Sequence, residues 1–131
     1  MKTKKSMTLK QECDKLWADL IKKRAGYCSE YSGKAGKQIG GDEILHAHHL
    51  VGKPNLRLRY LTLENGICLT AGEHKFIAHH TGRQETFRDR VKNLRGDDIF
   101  DRLKPLRFGA CKTNLNLIKL WLGNEIKNLN P

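Results

Sequence analysis

Glu43-Ile44-Leu45-His46-Ala47-His48-His49-Leu50-Val51 has strand-like content and closes on a turn, Gly52-Lys53-Pro54-Asn55. The stretch reads as a strand that carries three histidines. Adjacent side chains of a strand leave on opposite faces, so His48 and His49 cannot both aim at one point unless the backbone bends there. All six histidines of the chain cluster, at positions 46, 48, 49, 74, 79 and 80. Imidazole ligates a divalent metal or takes a proton near neutral pH, and a strand with adjacent histidines opposite a helix with more can assemble both functions.

Downstream, Leu56 to Leu63 alternates Leu with Arg, Tyr or Thr, a pattern that fits a strand or a connecting loop. Asn65-Gly66 reads as a turn. After Ile67-Cys68-Leu69 the sequence predicts a helix from Ala71 or Gly72 through Ala78, carrying His74 toward the strands. Gln84 to Leu94 spaces Phe87, Val91 and Leu94 as an amphipathic helix with a basic outer face. Pro105 blocks a helix interior, and Leu115 to Leu129 sets Leu115, Ile118, Trp121, Leu122, Ile126 and Leu129 in helical register. That apolar stripe packs on its own domain or against a second copy in a homodimer.

Upstream, Leu9, Cys13, Leu16, Trp17, Leu20 and Ile21 fall on one face of a helix from Leu9 to Arg24 that stops near Ala25-Gly26. Tyr27-Cys28 begins something extended, and Ser29 to Asp42 is a Gly- and Ser-rich loop or hairpin. The expected organisation is a single α+β domain over 1–131, with a flexible basic arm at 1–8, the core motif at 43–80 and C-terminal helices at 84–129.

Lys and Arg number 25 against 14 Asp and Glu, a formal charge of +11 that favours polyanions and makes nucleic acid the leading partner. A ribosomal-type or membrane-surface protein is the blander account of the same charge. No segment approaches the roughly 20 apolar residues that span a bilayer, and MKTKKSMTLKQECDK lacks a secretory apolar stretch, so no membrane association and a cytoplasmic location are expected. Cys13, Cys28, Cys68 and Cys111 form no CxxC pair, and reduced thiols follow.

The segment LHAHHLVGKPNLRLRYLTLENGICLTAGEHKFIAHH resembles the motif of the HNH endonucleases, a His pair or Asp-His, then Asn, then His. Asn65 lies nine residues before His74 and sixteen after His49, within the family's spacing, and the resemblance spans Trp17 to Leu94. It implies a ββα-metal finger core flanked by helices, acting as a metal-dependent DNA endonuclease. Carried over, His49 is the general base and Asn65 the residue that pins the loop carrying it. His48 and His74 are ligands of one divalent ion, Mg²⁺, Mn²⁺, Ni²⁺ or Zn²⁺. His79 matches a further ligand that some members place four residues on, but here it stands five residues after His74, about 500° around an α-helix. His46 and His80 are left as neighbours of the phosphate or of the ligands. Arg57 and Arg59 are candidates for clamping phosphate bidentately, and Lys53 adds a less directional charge.

Many members also hold a structural zinc with two CxxC pairs. The matching positions here are Cys28, Tyr31, Thr70 and Glu73, so no structural zinc is expected and hydrophobic packing should take its place. A short basic free-standing member resembles those of phages and mobile elements, which implies double-stranded DNA as substrate and a role in packaging, recombination or homing. Two rivals are a catalytically silent DNA-binding module on the same scaffold and a His-rich metal-binding regulatory protein.

Overall fold

A computed structural model describes residues 6–52, 55–109 and 111–129, apart from the side chain of Thr81. Most of the 1–8 arm, and Lys53 with it, lies outside the described residues. Helix α1 spans Leu9–Arg24, as its apolar spacing predicts, and opens with a capping box: Thr8 Oγ1 accepts from Gln11 N while Gln11 accepts from Thr8 N. The chain leaves α1 through two left-handed residues, Gly26 at φ 66° and Tyr27 at φ 57°. The loop that follows is tied by bridges pairing Cys28 with Ala35 and Gly36 with Glu43, around a 3₁₀ turn at Lys37–Ile39.

Strand β1 (Leu45–His49) pairs antiparallel with β2 (Gly66–Thr70), in a register running from Leu45 opposite Thr70 to His49 opposite Gly66. The connection between them is neither strand nor open loop. Arg57–Leu61 forms a π-helical turn, followed by a 3₁₀ turn at Leu63–Asn65. Its Leu–Arg alternation imitates a strand, but asparagine side chains supply backbone partners that a strand would need from a neighbour. Asn55 Oδ1 accepts from Leu58 N at 2.9 Å, and Asn65 Nδ2 donates to Leu58 O at 3.0 Å. Leu58 and Tyr60 are thereby both buried.

Asn65-Gly66 is correspondingly not a two-residue turn, since Gly66 already begins β2 with extended backbone. Glycine is required there by packing: a Cβ would sit 2.5 Å from Ile21 Cδ1 and 2.8 Å from Trp17 Cζ2 of α1. Helix α2 (Ala71–Glu73) starts with a second capping box, Thr70 with Glu73, and continues as a π turn at His74–Ala78. Helices α3 (Gln84–Arg95), α4 (Ile99–Leu103) and α5 (Leu115–Asn128) complete the chain, with Pro105 held in a 3₁₀ turn between α4 and α5.

Every residue of β2 is buried, because the hairpin is covered on both faces. Ile67 and Leu69 pack with Phe87 and Val91 of α3 and with Ile99, Phe100 and Leu103 of α4. Cys68, on the other face, packs with Trp17, Leu20 and Ile21 of α1 and with Ile118 and Leu122 of α5. The stripe of α5 thus packs on α1, while Leu94 of α3, read as apolar-face, is exposed. Among the described residues no helix is long and apolar enough to cross a membrane.

Candidate metal centre

Because β1 is a strand, His46 and His48 leave on one face and His49 on the other. Toward the first face the π turn after α2 brings His74 and His79. Ring centroids lie 4.9 Å apart for His48 and His74, 4.9 Å for His48 and His79, and 4.7 Å for His74 and His79. One nitrogen from each of the three falls within 4.8 Å of the others, close enough to hold a metal ion between them. The five-residue interval to His79 is reconciled by the π turn: its i to i+5 periodicity aligns two side chains that an α-helix would turn apart. His79 Nε2 and His74 Nε2 accordingly face each other at 2.9 Å.

The other nitrogen of His74, Nδ1, faces His46 Nδ1 at 3.0 Å. His46 therefore lies beside the three-histidine group, against the ring of one of its members. His80 does not join it. Its Nδ1 accepts from Gly82 N at 3.2 Å, capping the 3₁₀ turn Thr81–Arg83 that leads into α3.

On the opposite face, His49 stacks on Trp17 with centroids 3.9 Å apart and planes 3° from parallel. His49 Nε2 lies 2.9 Å from Arg59 O, a contact in which the ring must donate because a carbonyl only accepts. That bond requires a proton on Nε2. The side chain of Arg59 is anchored as well. The guanidinium reaches Asp14 through two bonds, Nε to Oδ1 at 2.9 Å and Nη2 to Oδ2 at 2.8 Å, and Tyr60 Oη donates to the same carboxylate at 2.6 Å. Burial, with Asp14 adding to it, pushes the Tyr60 hydroxyl up to about 12, and the hydrogen bond to Asp14 raises the Arg59 guanidinium. Arg59, expected as a phosphate clamp, thus spends its fork on Asp14 and anchors His49 instead. Arg57 is half-buried in the π turn and is not among the residues lining the hollows at the histidines.

Asn65 is fully buried and works on the loop after His49. Its Oδ1 accepts from Val51 N at 2.8 Å, and its Nδ2 donates to Val51 O at 3.1 Å and Leu58 O at 3.0 Å. All three of these bonds go to backbone groups of the chain itself.

At the positions matched to zinc cysteines, Thr70 and Glu73 form the capping box of α2, Tyr31 packs against Phe87, and Cys28 Sγ faces Gly26 O. The loop is tied in both by hydrophobic packing, Tyr31 lying against the cluster that holds Ile67 and Leu69, and by a polar network. Buried Ser29 donates to Glu73 Oε1, which also accepts from Thr70 N, while Ser29 Oγ accepts from Tyr31 N and Ser32 N. Glu30 extends the link by accepting from Cys68 N and pairing with Arg95 at 2.8 Å.

Hollows open at the histidines on both faces of β1, and that on the Trp17 face, of about 210 Å³, is lined by Asp14, Trp17, Ala18, Ala47, His49 and Arg59. A second, of about 350 Å³, is bordered by Ala47, His48, His49, Gly52, His74 and His79. A third, of about 310 Å³, shares His48, His49, Gly52 and His79 with the second and runs on to Phe87, Arg88 and Phe100. Reading residues alone missed Trp17, Asp14 and the Arg59 carbonyl as supports of His49, and no local signal could have found them. No family model, no curated protein and no solved structure matches the chain.

Proposed function

We propose that the chain is a metal-dependent DNA endonuclease built on the ββα-metal finger of the HNH nucleases, with β1 and β2 as its strands and α2 with its π turn as its helix. One observation carries this reading: His48, His74 and His79 converge within 4.8 Å, while His49 borders the same hollow from the opposite face of β1. Three imidazoles leave positions for substrate and suit zinc, nickel, cobalt or manganese, with Mg²⁺ as the further candidate. When bound, the ion stabilises negative charge developing on the phosphate.

His49 is the general base. The Arg59 carbonyl keeps the proton on Nε2 and Trp17 fixes the ring plane, so Nδ1 is the atom that takes a proton from water. The water oxygen bonds to phosphorus, the bond from phosphorus to the departing sugar oxygen breaks, and that oxygen takes a proton from solvent. Asn65 keeps the loop after His49 in place. The charge of +11 supports double-stranded DNA as the polyanion bound.

The test is cleavage of supercoiled plasmid in EDTA and with Mg²⁺, Mn²⁺, Ni²⁺ or Zn²⁺, for wild type and His49→Ala. Metal-dependent relaxed or linear product is expected, with a loss of about 10²- to 10⁴-fold in the variant. Binding of DNA without cutting under any metal would replace the nuclease by a silent DNA-binding module.

A further inference from the structure

The chain's well-placed arginines are mostly committed to the fold. Arg24 donates to Leu63 O and Gly66 O, Arg59 pairs with Asp14, Arg95 with Glu30, and Arg102 with Glu64 and Asp98. Arg88 differs. It leaves α3 half-buried, and among the described residues it makes no ion pair. Its guanidinium carbon lies 3.8 Å from the centroid of Phe100, a ring that is itself 3% exposed. A guanidinium held over an aromatic face still has N–H donors for anions, and the apolar bed beneath reduces the water that would screen it. Arg88 and Phe100 both line the hollow of about 310 Å³ shared with His48, His49 and His79.

We infer that Arg88 is the phosphate-binding arm of this site, gripping an oxygen of the phosphate presented to His49. The inference rests on the nuclease reading for its substrate, but the site it defines is for phosphate, whatever the reaction. It assigns α3 a direct part in binding, in addition to covering the core.

Two variants separate binding from folding: Arg88→Met keeps the apolar stem over Phe100 and removes the fork, and Arg88→Lys keeps the charge. Affinity for a short DNA duplex is measured in EDTA across a salt series, cobalt(II) affinity by visible absorption, and cleavage with Mn²⁺. Arg88→Met is expected to lower the slope of log affinity against log salt by about one. It should leave cobalt(II) affinity unchanged and reduce cleavage by about 10²-fold, with Arg88→Lys restoring the slope but only part of the cleavage. A wild-type slope in Arg88→Met overturns the inference, and if that variant also cuts normally the nuclease reading stands without it. A lowered slope in a protein that cuts with no metal upholds the phosphate site and removes the nuclease reading.

Discussion

Replacing Asn65 by alanine removes three hydrogen bonds at once, those to Val51 N, Val51 O and Leu58 O. At about 1 kcal/mol net for each bond, plus about 1 kcal/mol for leaving the Val51 N–H without a partner, the expected loss is about 4 kcal/mol. That is a large part of the 5–15 kcal/mol or so that a domain commands, and corresponds to roughly 15 °C in Tm for a chain of this size. Urea denaturation at pH 7 without metal, followed by far-UV circular dichroism, reads the loss directly, with an unchanged m-value if only the native loop is affected. Asn65→Asp is the sharper control because it keeps the shape. One oxygen still accepts from Val51 N, but the other now faces two carbonyl oxygens. Burial and those carbonyls raise the new carboxyl above its unfolded value, so the penalty is full at neutral pH and shrinks as pH falls through the folded pKa. A loss under 1 kcal/mol for Asn65→Ala, or an Asn65→Asp protein as stable as wild type at pH 7, would refute the pinning role.

Gly66→Ala drives a methyl group against Ile21 and Trp17 and is expected to cost about 1–3 kcal/mol, with a shift in Trp17 fluorescence as its stack on His49 is disturbed; unchanged denaturation and emission would contradict this. Deleting Phe76, whose ring is exposed, converts the π turn to α-helix and sets the two histidines at i and i+4. Cobalt(II) affinity should then stay within about tenfold of wild type, and loss of binding in a folded deletion variant would show that the π turn itself is needed. The Tyr60 hydroxyl, ordinarily near 10 and raised to about 12, stays protonated in the folded chain where the unfolded chain ionises. Its contribution is complete below pH 10 and lost as pH rises toward 12, so stability should fall more steeply across that window in wild type than in Tyr60→Phe. Equal slopes would mean that the hydroxyl is not so held.

The helices α1, α3 and α5 were legible because each has an apolar face repeating at helical spacing, and β1 because its histidines sit in a short run bounded by a turn. The division of His48 and His49 between faces followed from the same period-two geometry. What was illegible depends on partners distant in sequence. Arg59 looks like a phosphate clamp until Asp14, 45 residues away, takes its fork. The segment from Leu56 to Leu63 fits a strand or a connecting loop by pattern, but amide bonds from Asn55 and Asn65 favour a helical turn. His79 appears out of phase on an α-helix and falls into phase only where the helix widens. The buried Ser29 that completes the Thr70–Glu73 network lies in a segment read only as a loop or hairpin.

Contacts between α1 and α5 keep a nearly constant offset: Cys13 Sγ donates to Leu115 O, and Lys23 Nζ to Ile126 O. The two helices therefore run in the same direction, and Ile118 and Leu122 of α5 join Trp17 of α1 in one buried cluster. On a ribosome this imposes an order of events, since every histidine is made well before residues 115–128 appear. Until α5 emerges, α1 has an uncovered flank and His49 leans on a support that is not yet fixed. If the chain is the nuclease proposed, nascent chains arrested before that point should cut nothing, and competence would be acquired late in translation, as α5 docks.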